Sequence, residues 1–181
     1  MISIGQIHDI DMIIRLTRAC GRHMRANGID QWDEHYPDRA VILNDLHTQT
    51  LFAYRKGTEI LGIVVLNEAQ DDEYADIGWS TNETDRNIVI HRLAVRPDQQ
   101  GKGIGRKLMD FAEQWAKDNH YDAIRLDTFS QNQRNQRFYA NRGYTNLGPV
   151  FLKYKKNHPY YCYELLLAKL DDSSLFGTND R

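Results

Sequence analysis

Between Asn87 and Trp115 the apolar residues change period across a loop with glycines at three alternate positions. The segment NIVIHRLAV (Asn87 to Val95) is rich in β-branched residues and reads as a strand. After RPDQQGKG, the residues Ile104, Leu108, Phe111, Ala112 and Trp115 recur at i, i+4, i+7, i+8 and i+11, one apolar face of an α-helix. AIRLDTF (Ala123 to Phe129) then alternates apolar and polar residues and reads as a strand again. A strand–helix–strand unit implies a right-handed crossover between parallel neighbours. The fold class expected from it is α/β (or α+β) with a mixed sheet.

The flanking segments fit around that unit. Asp9 to about Asn27 carries Ile10, Ile13, Ile14, Leu16 and Thr17 at helical spacing, and Gly28 stands where such a helix would stop. A second helix is expected after Pro37, with Val41, Ile42, Leu43 and Leu46. LFAYR and ILGIVVL read as a β-hairpin turning at Lys56-Gly57-Thr58-Glu59, and the acidic stretch Glu68 to Arg86 as a loop. Asn132 to Asn141 suggests a short helix closed by Gly143. The segment YYCYELLLAKL is the last strand, and residues 171–181 form a polar tail expected to be flexible. One domain, residues 1–170, accounts for the rest.

Charge and cysteine usage narrow the setting. The formal net charge of −2 comes from 23 basic and 25 acidic residues, which gives nucleic acid no bulk attraction. No apolar run approaches the roughly 20 residues needed to span a bilayer, and MISIGQIHDID has no secretory pattern. Cys20 and Cys162 lie far apart and in no CxxC pattern, so buried free thiols are expected rather than a disulfide or a metal pair. A cytoplasmic protein without membrane or nucleic-acid partners follows.

The glycine loop itself suggests a ligand. Backbone N–H groups in the first turn of a helix have no internal partners and sit at the positive end of the macrodipole. Gly101, Gly103 and Gly105 would let a large anion approach those groups, and Lys102, Arg106 and Lys107 add positive charge. The spacing G-x-G-x-G is not the G-x-G-x-x-G of a dinucleotide site, and the G-x-x-x-x-G-K-[ST] of a P-loop is absent. On glycines alone, a tight turn with no ligand competes evenly.

A second motif separates these readings. The stretch L-A-V-x-P-x-x-Q-G-K-G-I-G, with Gln100, Gly103 and Gly105, resembles the acyl-CoA-binding signature [QR]-x-x-G-x-[GA] of the GCN5-related N-acetyltransferases. Asn132, Phe138-Tyr139 and Arg142-Gly143-Tyr144 resemble that family's N-x6-Y-x3-G-[FY] motif, in the same order and separation. The resemblance covers nearly the whole chain. It implies a mostly antiparallel mixed sheet with a central parallel strand pair, flanked by helices. It implies acetyl-CoA as cosubstrate, no metal, and a primary amine of a small molecule or peptide as acceptor by direct attack. A homodimer is a frequent assembly of such proteins.

Residue by residue, the resemblance implies that the backbone of Gln100, Gly101, Lys102, Gly103, Ile104 and Gly105, with Arg106 nearby, binds the pyrophosphate. The main chain of Leu93, Ala94 and Val95 would pair with the pantetheine arm, and an N–H near Leu93 would polarise the thioester carbonyl. Asn132, and more weakly Asn135, would touch the pantetheine. Tyr139 matches the tyrosine that protonates the departing thiolate, although packing against Phe138 would also account for it. The glutamate that some members use as base is replaced by Val89. By strand alternation His91 shares a face with Val89 and Leu93, which makes it a candidate base, with water relays to Glu73 or Glu34 as alternatives. Trp32, Glu34 and Tyr36, within GIDQWDEHYP, could line a pocket for a cationic amine. A non-catalytic acyl-CoA-binding sensor is the other reading of the same residues.

Overall fold

A computed structural model describes residues 1–168 apart from residues 34, 83 and 154–156. Its elements are β1 (Ile2–Ile4), α1 (Ile10–Ala26), α2 (Arg39–His47), β2 (Leu51–Lys56), β3 (Glu59–Asn67), β4 (Asn87–Val95), α3 (Ile104–Asp118), β5 (Ala123–Phe129), α4 (Gln133–Ala140), β6 (Thr145–Val150) and β7 (Tyr160–Leu166). The strands form one seven-stranded sheet in the order β1-β2-β3-β4-β5-β7-β6. Among the described residues only β4 and β5 are parallel, and α3 is the crossover between them. The expected mixed sheet with one central parallel pair is therefore present. The tail expected at residues 171–181 lies outside the described residues.

Helices cover both faces of the sheet. Ile104, Leu108, Met109 and Ala112 of α3 pack with Leu61, Val64, Ile88, Ile90 and Leu126. Ile13, Ile14 and Leu16 of α1, with Ile42 and Leu46 of α2, pack with Ala53, Ile63, Val65 and Ala94 on the other face. A third cluster, Tyr74, Val89, Phe129, Leu152, Tyr160 and Cys162, continues that face beyond the end of α1. Gly62 sits where β3, β4 and α3 meet, and a Cβ there would stand 2.9 Å from the Ala94 carbonyl and from Leu108 Cδ1.

Three local readings are amended. β1 and β6 were not expected; β1 spans only three residues, and β6 contains Gly148 and Pro149, which mask a strand pattern. Pro37 precedes the first turn of α2 instead of occupying it, and the Asp38 side chain caps the helix by accepting from the Val41 amide at 2.8 Å. The acidic stretch after β3 is not wholly loop, since Asp72–Asp76 form a short 3-10 turn.

The largest amendment concerns β4. Leu66 pairs with Ile90 but Val65 pairs with Arg92, so His91 is an extra residue in the ladder, a β-bulge. Ile88 and Ile90 pack toward α3 before it, and so do Leu93 and Val95 after it. Val89 and Ala94 point to the opposite face. Val89 and Leu93 thus do not share a face, because alternation counted across the bulge slips by one residue.

Candidate active site

β4 and β5 stay paired only from Asn87↔Ala123 to Ile90↔Leu126 and then separate. Past that point β4 has β3 on one side and a cleft on the other. The Val95 carbonyl accepts from Gln100 Nε2 at 3.1 Å and from Cys20 Sγ at 3.2 Å, so it faces away from β3. The Arg96 amide instead donates to Leu61 of β3. Main-chain groups alternate in direction along a strand, so the amide and carbonyl of Leu93 also turn toward the cleft.

The cleft has a volume of about 550 Å³ and is bounded by α1, β4, the glycine loop and α4. Of the residues the sequence singled out for the cofactor, Leu93, Ala94, Val95, Gln100, Gly101, Ile104, Gly105, Asn132 and Asn135 line it. Gly101 and Gly103 have φ of +77° and +81°, backbone that side chains with a Cβ rarely adopt, and Gly103 is the N-cap of α3 without a side-chain cap. The open first turn of α3 therefore points its amides at the cleft mouth. Lys102 and Arg106 are exposed and do not line the cleft; Lys102 Nζ donates to Gln99 at 3.2 Å. Lys107 Nζ lies 5.7 Å from the Tyr54 ring centroid. Positive charge reaches the cleft from the opposite wall instead, through Arg134 and Arg137 of α4. Neither stood in a recognisable motif.

Two of the polar residues also hold the scaffold. Gln100 bridges the Val95 carbonyl to Arg134, whose Nη1 donates to Gln100 Oε1 at 2.9 Å. Asn132 caps α4 by accepting from the Asn135 amide at 3.2 Å and donates to Gln31 Oε1 at 2.9 Å. Asn132 thereby ties α4 to the segment after α1, across the cleft.

A second, smaller cavity of about 340 Å³ adjoins the first, and Gln31, Trp32, Leu93 and Asn135 line both. Tyr36, His91 and Tyr139 belong to this cavity, together with Asp45, Asp71, Asp127, Arg92 and Tyr160. Trp32 is buried in the core as well as lining the cavity, with its ring edge toward Tyr36. Arg92 Nε donates to the Tyr36 hydroxyl at 3.2 Å, and Arg92 Nη1 to Asp45 at 2.6 Å. Glu34 lies outside the described residues. Glu73 is not in the cavity; it accepts from the Lys153 amide at 3.2 Å.

Burial sets the protonation states here. It pushes the Tyr139 phenol well above its ordinary value, the charge of Asp127 adding to the effect, so Tyr139 carries its proton at neutral pH. Burial, and then the Arg92 guanidinium, lower His91 to about 4, leaving a neutral imidazole whose Nε2 is buried without a hydrogen-bond partner. Burial pushes Asp127 up to about 6, although Tyr74 donates to it. It also raises Asp71 and Asp45, with Arg92 opposing the shift at Asp45. Asp127 was missed from sequence because AIRLDTF reads as an ordinary alternating strand. The usable signal was two charged residues, Arg125 and Asp127, at alternate positions of a central strand.

Comparison with known proteins agrees with this architecture. A family model described as Acetyltransferase (GNAT) family matches residues 11–144. The streptothricin acetyltransferase of Escherichia coli is 34% identical over 139 residues, covering 71% of this chain and 74% of that protein. A GNAT-family acetyltransferase structure from Streptococcus agalactiae superposes with a TM-score of 0.79 at 20% identity, over 93% of this chain and 96% of that one. YncA from Salmonella typhimurium, solved with its cofactor acetyl-CoA, superposes at 0.70 and 17% identity, over 94% and 95%. Among the described residues no group of histidine, cysteine and carboxylate side chains could hold a metal ion, and no helix could cross a membrane. Family match, relative and shared architecture together make this chain an acetyltransferase of the GNAT family.

Proposed function

We propose that the chain transfers the acetyl group of acetyl-CoA to a primary amine by direct attack. The observation that carries the reading is the pair of adjoining cavities. One is an open cleft with a turned-out strand edge and a bare helix N-terminus, and the other is a compact acidic chamber. The residues at the cleft suit the cosubstrate. The first-turn amides of α3 with Arg134 and Arg137 favour a pyrophosphate. The turned-out Leu93 and Val95 main chain suits an extended amide arm. Acetyl-CoA supplies an activated acyl carbon with a good leaving group, and the Leu93 amide is the donor placed to polarise its carbonyl.

Tyr139 is the proton donor to the leaving thiolate in this reading. Its raised pKa keeps the phenol protonated at neutral pH. His91 contributes a neutral ring to the chamber wall. With a pKa of about 4 it is a poor acceptor for a proton from an ammonium. A cytoplasmic setting belongs to the same reading, supported by two buried free thiols.

Thiol release from acetyl-CoA, measured with an amine panel for wild type and Tyr139→Phe, tests the proposal. Amine-dependent release that falls about 100-fold or more in the variant is expected for loss of a general acid. Tight acetyl-CoA binding with no amine-dependent release in the wild type would favour the acyl-CoA sensor instead.

A further inference from the structure

Asp127 is the first residue of β5 beyond its last parallel pair with β4. Its carboxylate stands at the point where the two strands separate and lines the acidic chamber beside Leu93 and Tyr139. Tyr74, only 3% exposed, donates to Asp127 Oδ2 at 2.5 Å. That phenol is itself fixed. Its amide closes a turn onto Asp71, and its carbonyl accepts from Trp79 Nε1 at 2.9 Å. Trp79 lies under the Arg125 guanidinium, 4.2 Å from its ring centroid, and Arg125 pairs with Glu164 inside the sheet.

The charge balance of the chamber singles Asp127 out. Asp45 is already paired with Arg92, which is the cation of this wall. Asp127 forms no ion pair among the described residues; its donor is a neutral hydroxyl. A carboxylate at the bottom of a small chamber, braced by a phenol and lacking a cation, is suited to receive one.

We propose that Asp127, positioned by Tyr74, is the catalytic base of acetyl transfer, and that the acceptor is a small amine which enters as its ammonium ion. This rests on the acetyl-transfer reading above. The ammonium docks on the Asp127 carboxylate, one N–H bond breaks and the proton moves to a carboxylate oxygen. The freed lone pair forms the C–N bond to the acetyl carbon, and the C–S bond breaks as its electrons leave with sulfur. Tyr139 gives its proton to the thiolate and is reprotonated by the second proton lost from nitrogen. Asp127 later releases its proton to water. Ammonium and thioester thus give amide, thiol and one proton. His91 is displaced from the base role because burial, and then the Arg92 guanidinium beside it, disfavours a positive charge on its ring.

The test uses acceptor basicity. An alkylamine needs a base near neutral pH, whereas its trifluoromethyl analogue of the same shape is largely uncharged there and does not. Asp127→Asn should lower kcat with ethylamine about 100-fold or more, yet hold within about fivefold with trifluoroethylamine. Tyr74→Phe should show the same split, more weakly. Calorimetric titration of ethylammonium into the enzyme without acetyl-CoA should show binding weakened about tenfold in Asp127→Asn. Equal losses for both amines, or unchanged ethylammonium binding, would overturn the role of Asp127 while leaving acetyl transfer intact. A wild type that binds acetyl-CoA but acetylates neither amine nor any other in the panel would overturn both.

Discussion

Replacing Asp127 by asparagine should change how stability depends on pH, independently of any substrate. Burial lifts this carboxyl from 3.8 to about 6. Between those values the folded protein holds a proton that the unfolded chain has released. Unfolding then releases a proton, and stability falls as pH rises. The favourable contribution of the neutral carboxyl is complete below about pH 4 and is lost as pH rises through 6. At neutral pH the ionised, half-buried group costs about 3 kcal/mol, from a gap of about 2 in pKa at 1.36 kcal/mol each. Asparagine cannot ionise and skips this loss. For a chain of this size, about 1 kcal/mol moves the melting temperature by roughly 2–4 °C. On going from pH 4 to pH 7, Asp127→Asn should therefore gain roughly 6–12 °C relative to wild type. Scanning calorimetry of both proteins across that range measures it, and effects of the carboxylates that do not interact with Asp127 cancel in the difference, Asp71 being the one that does. Parallel curves would refute the reasoning, because they would mean that the buried group does not feel its surroundings as the geometry requires.

Two further substitutions probe the scaffold. Gly62→Ala should lower stability by about 1–3 kcal/mol in urea unfolding, because the added methyl group meets the Ala94 carbonyl and Leu108 Cδ1 at 2.9 Å; an unchanged midpoint would show that β3 and α3 part freely. Arg125→Met should lower stability by about 3–5 kcal/mol, because it removes the guanidinium 3.3 Å from the carboxyl group of Glu164, which is 2% exposed; a loss under about 1 kcal/mol in the same assay would show that the pair contributes little.

The cleft was legible in the sequence as one local pattern, whereas of the chamber Trp32, Tyr36, His91 and Tyr139 were named but not its carboxylates. Strand–loop–glycine–helix is a local pattern, and it presents main-chain groups to the cleft whose direction follows from the elements themselves. The bounds of β4 and β5 agree with the sequence reading for the same reason. The chamber, in contrast, is assembled from Tyr36 before α2, Asp71 after β3, Asp127 on β5, Tyr139 on α4 and Tyr160 on β7. No single segment shows that convergence. Arg134 and Arg137 escaped because cations on a short polar helix look like a solvated face. The bulge escaped because an inserted residue leaves no mark in composition, and it misled the alternation argument for His91.

That bulge also makes His91 a spacer. The main-chain directions of Ile90 and Leu93 would be the same if the residue between the two paired stretches were missing, so it does not decide which way the strand edge turns. What it decides is length. A strand advances about 3.3 Å per residue, and the extra one offsets the Leu93 amide from the last β4–β5 rung without the same advance along β3. The distance between the Leu93 amide, proposed above as the polarising donor, and the chamber is thus written into the sheet as a count of residues. A side-chain change at His91 keeps that ruler, whereas loss of the residue would give a more regular ladder around a mismeasured site.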